Sequence, residues 1–187
     1  MTDIYRPLVS IIVITYNSAE FLIECLDSVK NQSYSNIELI ISDDCSSDST
    51  LSLSQKWLAL NNSRFVSARI IASKTNQGTS ININNGFRAA KGEWIKSVAG
   101  DDLLLQNCIQ DNITFVLKNN LIKVLQSKTH IIDANSKVIG SALELDSYFI
   151  SPNASAADQH RLLLRKYISN TTTIFINRDV IEKHGYH

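Results

Sequence analysis

The chain has no excess of either charge: its 187 residues carry 18 Lys plus Arg against 18 Asp plus Glu. Nucleic-acid binders show a basic surplus or stripe, and this sequence has neither. Cysteine is scarce and odd in number. Cys25, Cys45 and Cys108 have no metal-ligand spacing, so they read as reduced intracellular thiols rather than a disulfide framework. No apolar run approaches the roughly 18 residues that span a bilayer. The start, Met1-Thr2-Asp3-Ile4-Tyr5-Arg6-Pro7, does not look like a signal peptide. A cytoplasmic protein with no integral membrane segment is expected. His130, His160, His184 and His187 are scattered and form no ligand pair. A Ser/His/Asp order, a Walker loop and a Gly-x-Gly-x-x-Gly turn are all missing, which weighs against ATPase and dinucleotide chemistry. Repeats, low-complexity tracts and linkers are missing too, so one continuous unit is expected.

What is present is an alternation of strands and helices. Leu8 to Thr15 is a nearly continuous β-branched apolar run, the mark of a strand buried on both faces. Asn17-Ser18-Ala19-Glu20 reads as a capping box, with Asn17 as N-cap, ahead of an apolar stripe at Phe21, Leu22, Cys25, Leu26 and Val29. Strands follow at Ile37 to Ser42, Phe65 to Ala72 and Trp94 to Val98. Helices follow at Leu51 to Leu60 and at Ser80 to Ala90, the latter ended by Gly92. Beyond Asp102, a helix from Gln106 to Lys118 carries Ile109, Ile113, Val116 and Leu117 on one side. Lys123 to Ser127 and Val138-Ile139 flank a turn at Asp133 to Ser136, which predicts a β-hairpin. A helix over Ala156 to Ile168, a strand over Thr172 to Ile176 and a helical turn from Asp179 to His184, stopped by Gly185, complete the pattern. Such an order predicts an α/β fold: a mostly parallel, Rossmann-like central sheet with helices on both faces, plus a small hairpin.

Two strands end in acidic pairs, Asp43-Asp44 and Asp101-Asp102, and open α/β sheets bind ligands at that edge. Tyr16, where the first strand leaves the sheet, either stacks on a base or packs over the sheet. Asp43 can accept a hydrogen bond from a pyrimidine N–H. Asp44 either holds a ribose hydroxyl or braces its turn, and Ser47 and Asp48 suit capping of the next helix. Asn76-Gln77-Gly78, followed by Asn82, Asn84 and Asn85, offers neutral donors for sugar or diphosphate oxygens, or is simply a polar loop and helix face. Carboxylates favour hard cations such as Mg2+ or Mn2+, which bridge phosphates. Side chains alternate along an extended segment, so Asp101 and Asp102 should diverge unless the backbone turns, and Asp101 shares its face with Ala99. One dominant metal ligand is expected, with a nucleotide diphosphate supplying others.

The blocks VSIIVITYN, ELIISDDCSSDST, NQGTSININNGFRAAKGEWI and AGDDLLLQN, in this order and spacing, resemble family 2 glycosyltransferases of the GT-A fold, of the bacterial surface-polysaccharide kind. The similarity covers residues 8 to 110 strongly and 160 to 185 more weakly. It implies an inverting, metal-dependent transfer of sugar from a nucleotide-diphosphate donor, most often UDP-sugar, to a hydroxyl of a glycan or lipid-linked acceptor. Peripheral contact with the inner face of the membrane would arise through that acceptor. The implied nucleotide-binding set is Thr15, Tyr16, Asn17, Glu20, Asp43, Asp44, Asn76, Gly78, Asn84 and Gly100, with Asp101 and Asp102 at an Mn2+ or Mg2+ ion. Three positions depart from the pattern: Ala99 where many members have aspartate, Ile83 where arginine is common, and Cys45 where glycine is usual. In this family the catalytic base is an Asp or Glu in an acidic motif after the glycine-rich turn that follows the last matched helix. Gly185-Tyr186-His187 ends the sequence before such a motif, so a C-terminally truncated chain is expected. Residues 1–102 would then form the donor-nucleotide half and 103–187 the incomplete start of an acceptor half. The alternatives are a non-catalytic nucleotide-sugar-binding module and a sugar-nucleotide nucleotidyltransferase. The latter needs a glycine-rich basic loop after the first strand, and Asn17 to Glu20 is not one.

Overall fold

The computed structural model describes residues 5–142 and 171–185. The helix expected over Ala156 to Ile168 lies outside these residues. Contacts divide the chain into two compact units, one of residues 1–125 with 175–187 and one of residues 126–174.

In the first unit β1 (Val9–Thr15) and β2 (Ile37–Asp43) are buried at every position. Their continuous Ile/Val/Leu runs fit this, because helices cover both sides of a parallel sheet. With β3 (Ser67–Ala72), β4 (Trp94–Ala99), β5 (Val124–Gln126) and β8 (Ile174–Asn177) they form a six-stranded sheet of order β3-β2-β1-β4-β8-β5. β1 pairs in parallel with β2 and β4, and β2 with β3. β8 runs antiparallel to β4, with Trp94 opposite Asn177.

Five helices are described. On one sheet face Leu22, Cys25, Leu26 and Val29 of α1 (Leu22–Lys30), Trp57 of α2 (Thr50–Asn61) and Ile109, Ile113 and Val116 of α4 (Cys108–Lys118) join the larger core. On the other, Ile83 and Phe87 of α3 (Thr79–Ala89) and Ile181 of α5 (Arg178–His184) pack on Ile12, Ile40 and Ile95. Gly86 permits that close packing, since a Cβ there would lie 2.4 Å from Ile12 Cγ2. The mostly parallel α/β sheet with helices on both faces is therefore observed.

Several local expectations are corrected. α1 begins at Leu22, with Phe21 at its N-cap and no side-chain cap, so Asn17 and Glu20 do not form a capping box. Asn17 instead has a left-handed backbone, φ 50°. Gly92 does not cap α3. Its N–H donates to Ser10 Oγ (2.8 Å) and Glu38 Oε1 (3.0 Å), and a Cβ there would sit 2.5 Å from the Ser10 nitrogen. Close approach of the backbone, rather than a turn, is what requires this glycine. Leu117 stays exposed while its neighbour Val116 is buried, because the stripe on α4 is narrower than expected. In the second unit the hairpin pairs β6 (Thr129–Ile132) with β7 (Val138–Ala142). Val124–Gln126 belongs to the large sheet instead. A three-residue strand has too little pattern to reveal its partner.

At the edge away from the acidic pairs lies a fully buried carboxylate, Glu38. It accepts from Ser10 Oγ (2.5 Å), Arg69 Nη2 (2.9 Å), Ser67 Oγ (3.3 Å) and the N–H groups of Gly92 (3.0 Å) and Lys91. Burial alone would raise its pKa. The hydrogen bonds from Ser10, Lys91 and Gly92, with the charge of Arg69, outweigh that and hold it below the usual glutamate range.

Candidate functional site

β1 lies between β2 and β4 in the sheet, so the chain leaves it in one direction for β2 and β3 and returns on its other side as β4. That reversal is a topological switch point, and the crevice outside the carboxyl ends of the two strands is where open α/β sheets take ligands. Thr15 ends β1 and Tyr16 follows it; Gly100, Asp101 and Asp102 follow β4. Sequence-distant candidates thus meet at one rim.

The backbone turns after β4, with Asp102 N–H donating to the Ala99 carbonyl at 3.0 Å. Asp101 points to an exposed position and Asp102 is half-buried. The turn lies against the β1–α1 loop: a Cβ on Gly100 would come 3.0 Å from Ser18 Cβ, Ser18 Oγ and Thr15 Cγ2. From α1, the Cys25 thiol donates to the Ala99 carbonyl at 3.4 Å. Burial, then the charges of Asp102 and Asp101, push that thiol's pKa up, so it stays protonated beneath the acidic turn.

Around β2 the polar residues bind one another. Asp43 is 1 % exposed; its Oδ1 accepts from Thr15 Oγ1 (2.8 Å) and Ser46 Oγ (2.5 Å), and its Oδ2 from Ser46 N–H (2.9 Å). Asp44, 2 % exposed, accepts from the N–H groups of Gln77 (2.9 Å) and Gly78 (2.7 Å). These contacts tie Asp44 to the loop between β3 and α3 rather than to its own turn. Asp48 takes Thr50 N–H (2.9 Å) and Ala19 N–H (3.1 Å). These bonds, from Thr50 first and Ala19 next, overcome the opposing effect of burial and lower its pKa. Cys45 carries a left-handed φ of 63°, the conformation that makes glycine usual there.

Beside α3, Gly78 has φ 86° and open space around its missing Cβ, so backbone conformation is what selects it. Asn76 Oδ1 accepts from Gly78 N–H at 3.1 Å. Asn84 is buried, 5 % exposed, and does not present an amide to solvent. The helical stripe that buries Ile83 and Phe87 takes Asn84 inward with them. Ile83 itself fills core volume where an arginine is common. Tyr16 is 50 % exposed, and Glu20 is exposed as well.

Sequence reasoning named Asn82 only as a donor for sugar or diphosphate oxygens, or as part of a polar helix face, and it missed Ser46. Asn82 Nδ2 donates to the carbonyls of Ser42 (3.0 Å) and Thr15 (3.3 Å), and its Oδ1 accepts from Ser42 Oγ (2.7 Å). It ties α3 to the ends of β1 and β2. Its position four residues before the tightly packed Gly86 was the available signal, since that spacing shares a helix face. Ser46 had no signal, because its role exists only once Asp43 and Asn17 are adjacent.

A topological switch point rimmed by carboxylates and an exposed tyrosine marks the ligand-binding edge of an open α/β class of protein. Residues 10–185 match the model of Glycosyl transferase family 2, and the chain belongs to that family. It is 30% identical over 169 residues to an uncharacterized glycosyltransferase of Haemophilus influenzae, covering 90% of this chain and 51% of that protein. It is 32% identical over 127 residues to the putative glycosyltransferase EpsE of Bacillus subtilis, covering 68% of this chain and 45% of that protein. Among solved structures, S. aureus TarS 1-349 in complex with UDP-GlcNAc superposes with a TM-score of 0.71 at 23% identity, over 95% of this chain and 47% of that one. The mannosyltransferase PcManGT from Pyrobaculum calidifontis, in complex with GDP-Man and Mn2+, gives 0.68 at 21%, over 97% and 48%. At such identities these likenesses establish the GT-A fold. The chain spans about half the length of the curated relatives it matches. No helix among the described residues is long and apolar enough to cross a membrane.

Proposed function

We propose that this chain binds the nucleotide of a sugar-nucleotide donor, most favourably a UDP-sugar, and that the protein transfers the sugar to an acceptor hydroxyl with inversion. The observation that carries this reading is the meeting of Tyr16, Thr15–Asp43 and the Gly100–Asp102 turn at the switch point between β1 and β4. Tyr16 offers an exposed ring for a base, while Thr15, Asn17, Glu20, Asp43, Asp44, Asn76, Gly78 and Gly100 form or support the surrounding wall. Asn84 is buried and would support α3 rather than touch the donor.

The donor set fits a hard cation. Asp101 is an exposed carboxylate with Asp102 beside it, and no group of three or more His, Cys, Asp or Glu gathers among the described residues. A site with so few protein ligands suits Mn2+ or Mg2+ arriving with diphosphate oxygens. Bound there, the ion would offset charge that grows on the departing diphosphate. Asp101 and Asp102 would hold it, and the tight Gly100 contact would keep their turn against β1.

An Asp or Glu elsewhere would deprotonate the acceptor hydroxyl for in-line attack on the anomeric carbon. No described residue is assigned that role. Asp179 and Glu182 lie on α5 and face Lys123 (3.7 Å) and Arg178 (3.6 Å). The acceptor is proposed to be a glycan or lipid-linked precursor at the cytoplasmic face of the membrane. Residues 1–102 would supply the donor half and 103–187 the start of the acceptor half. Calorimetric titration with UDP, GDP and dTDP, with and without MnCl2, tests the reading. UDP binding that tightens with Mn2+ supports it. No binding of any nucleotide, or UDP found away from the β1–β4 rim in a soaked crystal, would refute it.

A further inference from the structure

Four loops leave the carboxyl edge of the parallel strands, and the first two are joined by hydrogen bonds that centre on Asn17. Asn17 Oδ1 accepts from Ser47 N–H (2.8 Å), Ser47 Oγ (3.2 Å) and Asp48 N–H (3.4 Å). In return, Asn17 N–H donates to Ser46 Oγ at 2.9 Å, and Ser46 Oγ in turn donates to Asp43. Two neighbouring bonds run the same way, Ser18 N–H to Thr50 Oγ1 (2.8 Å) and Ala19 N–H to Asp48 Oδ2 (3.1 Å). The geometry asks two things of position 17. Its backbone is left-handed, φ 50°, which asparagine tolerates better than most residues, and its side chain must accept hydrogen bonds from the neighbouring loop. Asparagine meets both.

We infer that Asn17 is a positioning residue for the nucleotide rim, clasping the β1–α1 loop to the β2–α2 loop so that Tyr16 is set before a ligand arrives. This rests on the nucleotide reading above and deepens it. Tyr16 sits between Thr15, buried and bonded to Asp43, and Asn17, so both backbone neighbours of an exposed ring are pinned. A ring held this way binds a base without first being ordered, which is the advantage of preorganisation. Because Asn17 is itself exposed and buries little surface, its loss should loosen the rim and leave the sheet intact.

Asn17→Gly keeps the left-handed backbone and removes the acceptor; Asn17→Asp keeps both features at the cost of one charge. Each full-length variant would be titrated with UDP in MnCl2 by calorimetry, and its backbone amides followed by hydrogen exchange. The expected result is UDP affinity about tenfold weaker in Asn17→Gly and within about threefold of wild type in Asn17→Asp. The Ser47 and Asp48 amides should lose protection in Asn17→Gly while β1 and β2 keep theirs. Wild-type affinity in Asn17→Gly overturns the inference, as does loss of protection throughout β1 and β2, which marks a merely structural role. If wild type itself binds no nucleotide, the functional reading fails and this inference falls with it. That outcome is distinct from the case in which wild type and variant bind alike.

Discussion

Replacing Glu38 by glutamine should destabilise the fold without changing the nucleotide rim. The carboxylate is 1 % exposed and receives five donors, from Ser10, Ser67, Arg69, Lys91 and Gly92. A glutamine of the same shape can offer one carbonyl oxygen, so its NH2 must face either the Ser10–Lys91–Gly92 group or the Ser67–Arg69 pair. Breaking a buried ion pair costs about 3–5 kcal/mol, but the Arg69 side chain is 35% exposed and solvent regains part of that. A cost of about 2–4 kcal/mol results, a large share of the roughly 5–15 kcal/mol stability of a domain. The sign of the pH dependence follows from the lowered pKa of Glu38. A carboxylate whose folded pKa lies below its unfolded value, about 4.3, contributes stability that is complete above that value and is lost as pH falls through the folded pKa. Urea unfolding of wild type and Glu38→Gln at pH 7 and at several points below pH 4.5 measures both effects. The gap between them should be widest at neutral pH and narrow in acid. A difference below about 0.5 kcal/mol at pH 7, or a gap that widens in acid, would refute the reasoning. UDP affinity at pH 7, measured well below the unfolding transition, should be unchanged, because Glu38 lies at the opposite edge of the sheet.

Asp101→Ala should abolish the Mn2+-dependent increment in UDP affinity while leaving metal-free UDP binding nearly intact, as calorimetry would show. Tyr16→Ala should weaken UDP by about 1–3 kcal/mol, the range for base–aromatic stacking, with little shift in melting temperature since the ring is half exposed. Gly86→Ala sets helix propensity, about 1 kcal/mol in favour of alanine, against a Cβ 2.4 Å from Ile12 Cγ2. Overpacking of about 1–3 kcal/mol should win, and a melting temperature at or above wild type would show that Ile12 yields freely. Lys96 is 1 % exposed in β4, and burial lowers its pKa despite the opposing influence of Cys108. Lys96→Met should therefore stabilise the protein at pH 7. It should also remove a rise in wild-type stability as pH increases toward the unfolded lysine value of about 10.4. Urea midpoints between pH 7 and 10 would check this.

The sequence alone determined where the long buried strands form and which edge of the sheet the acidic pairs reach. Ile/Val-rich runs such as Val9–Thr15 and Ile37–Asp43 suit strands buried on both faces, and carboxylates at the end of such runs lie at a sheet edge. Tertiary structure decided what each polar residue does at that edge. Asn17 has the chemistry of a helix cap, yet its oxygen meets Ser47 and Asp48, roughly thirty residues away, and a capping pattern read over four residues contains nothing about a neighbouring loop. Asp44 likewise became a brace only when the β3–α3 loop delivered the N–H groups of Gln77 and Gly78. Asn84 turned inward because the helix had to bury Ile83 and Phe87. Strand formation follows from local burial and period, whereas hydrogen-bond partnership depends on loops that approach one another only after the sheet has assembled.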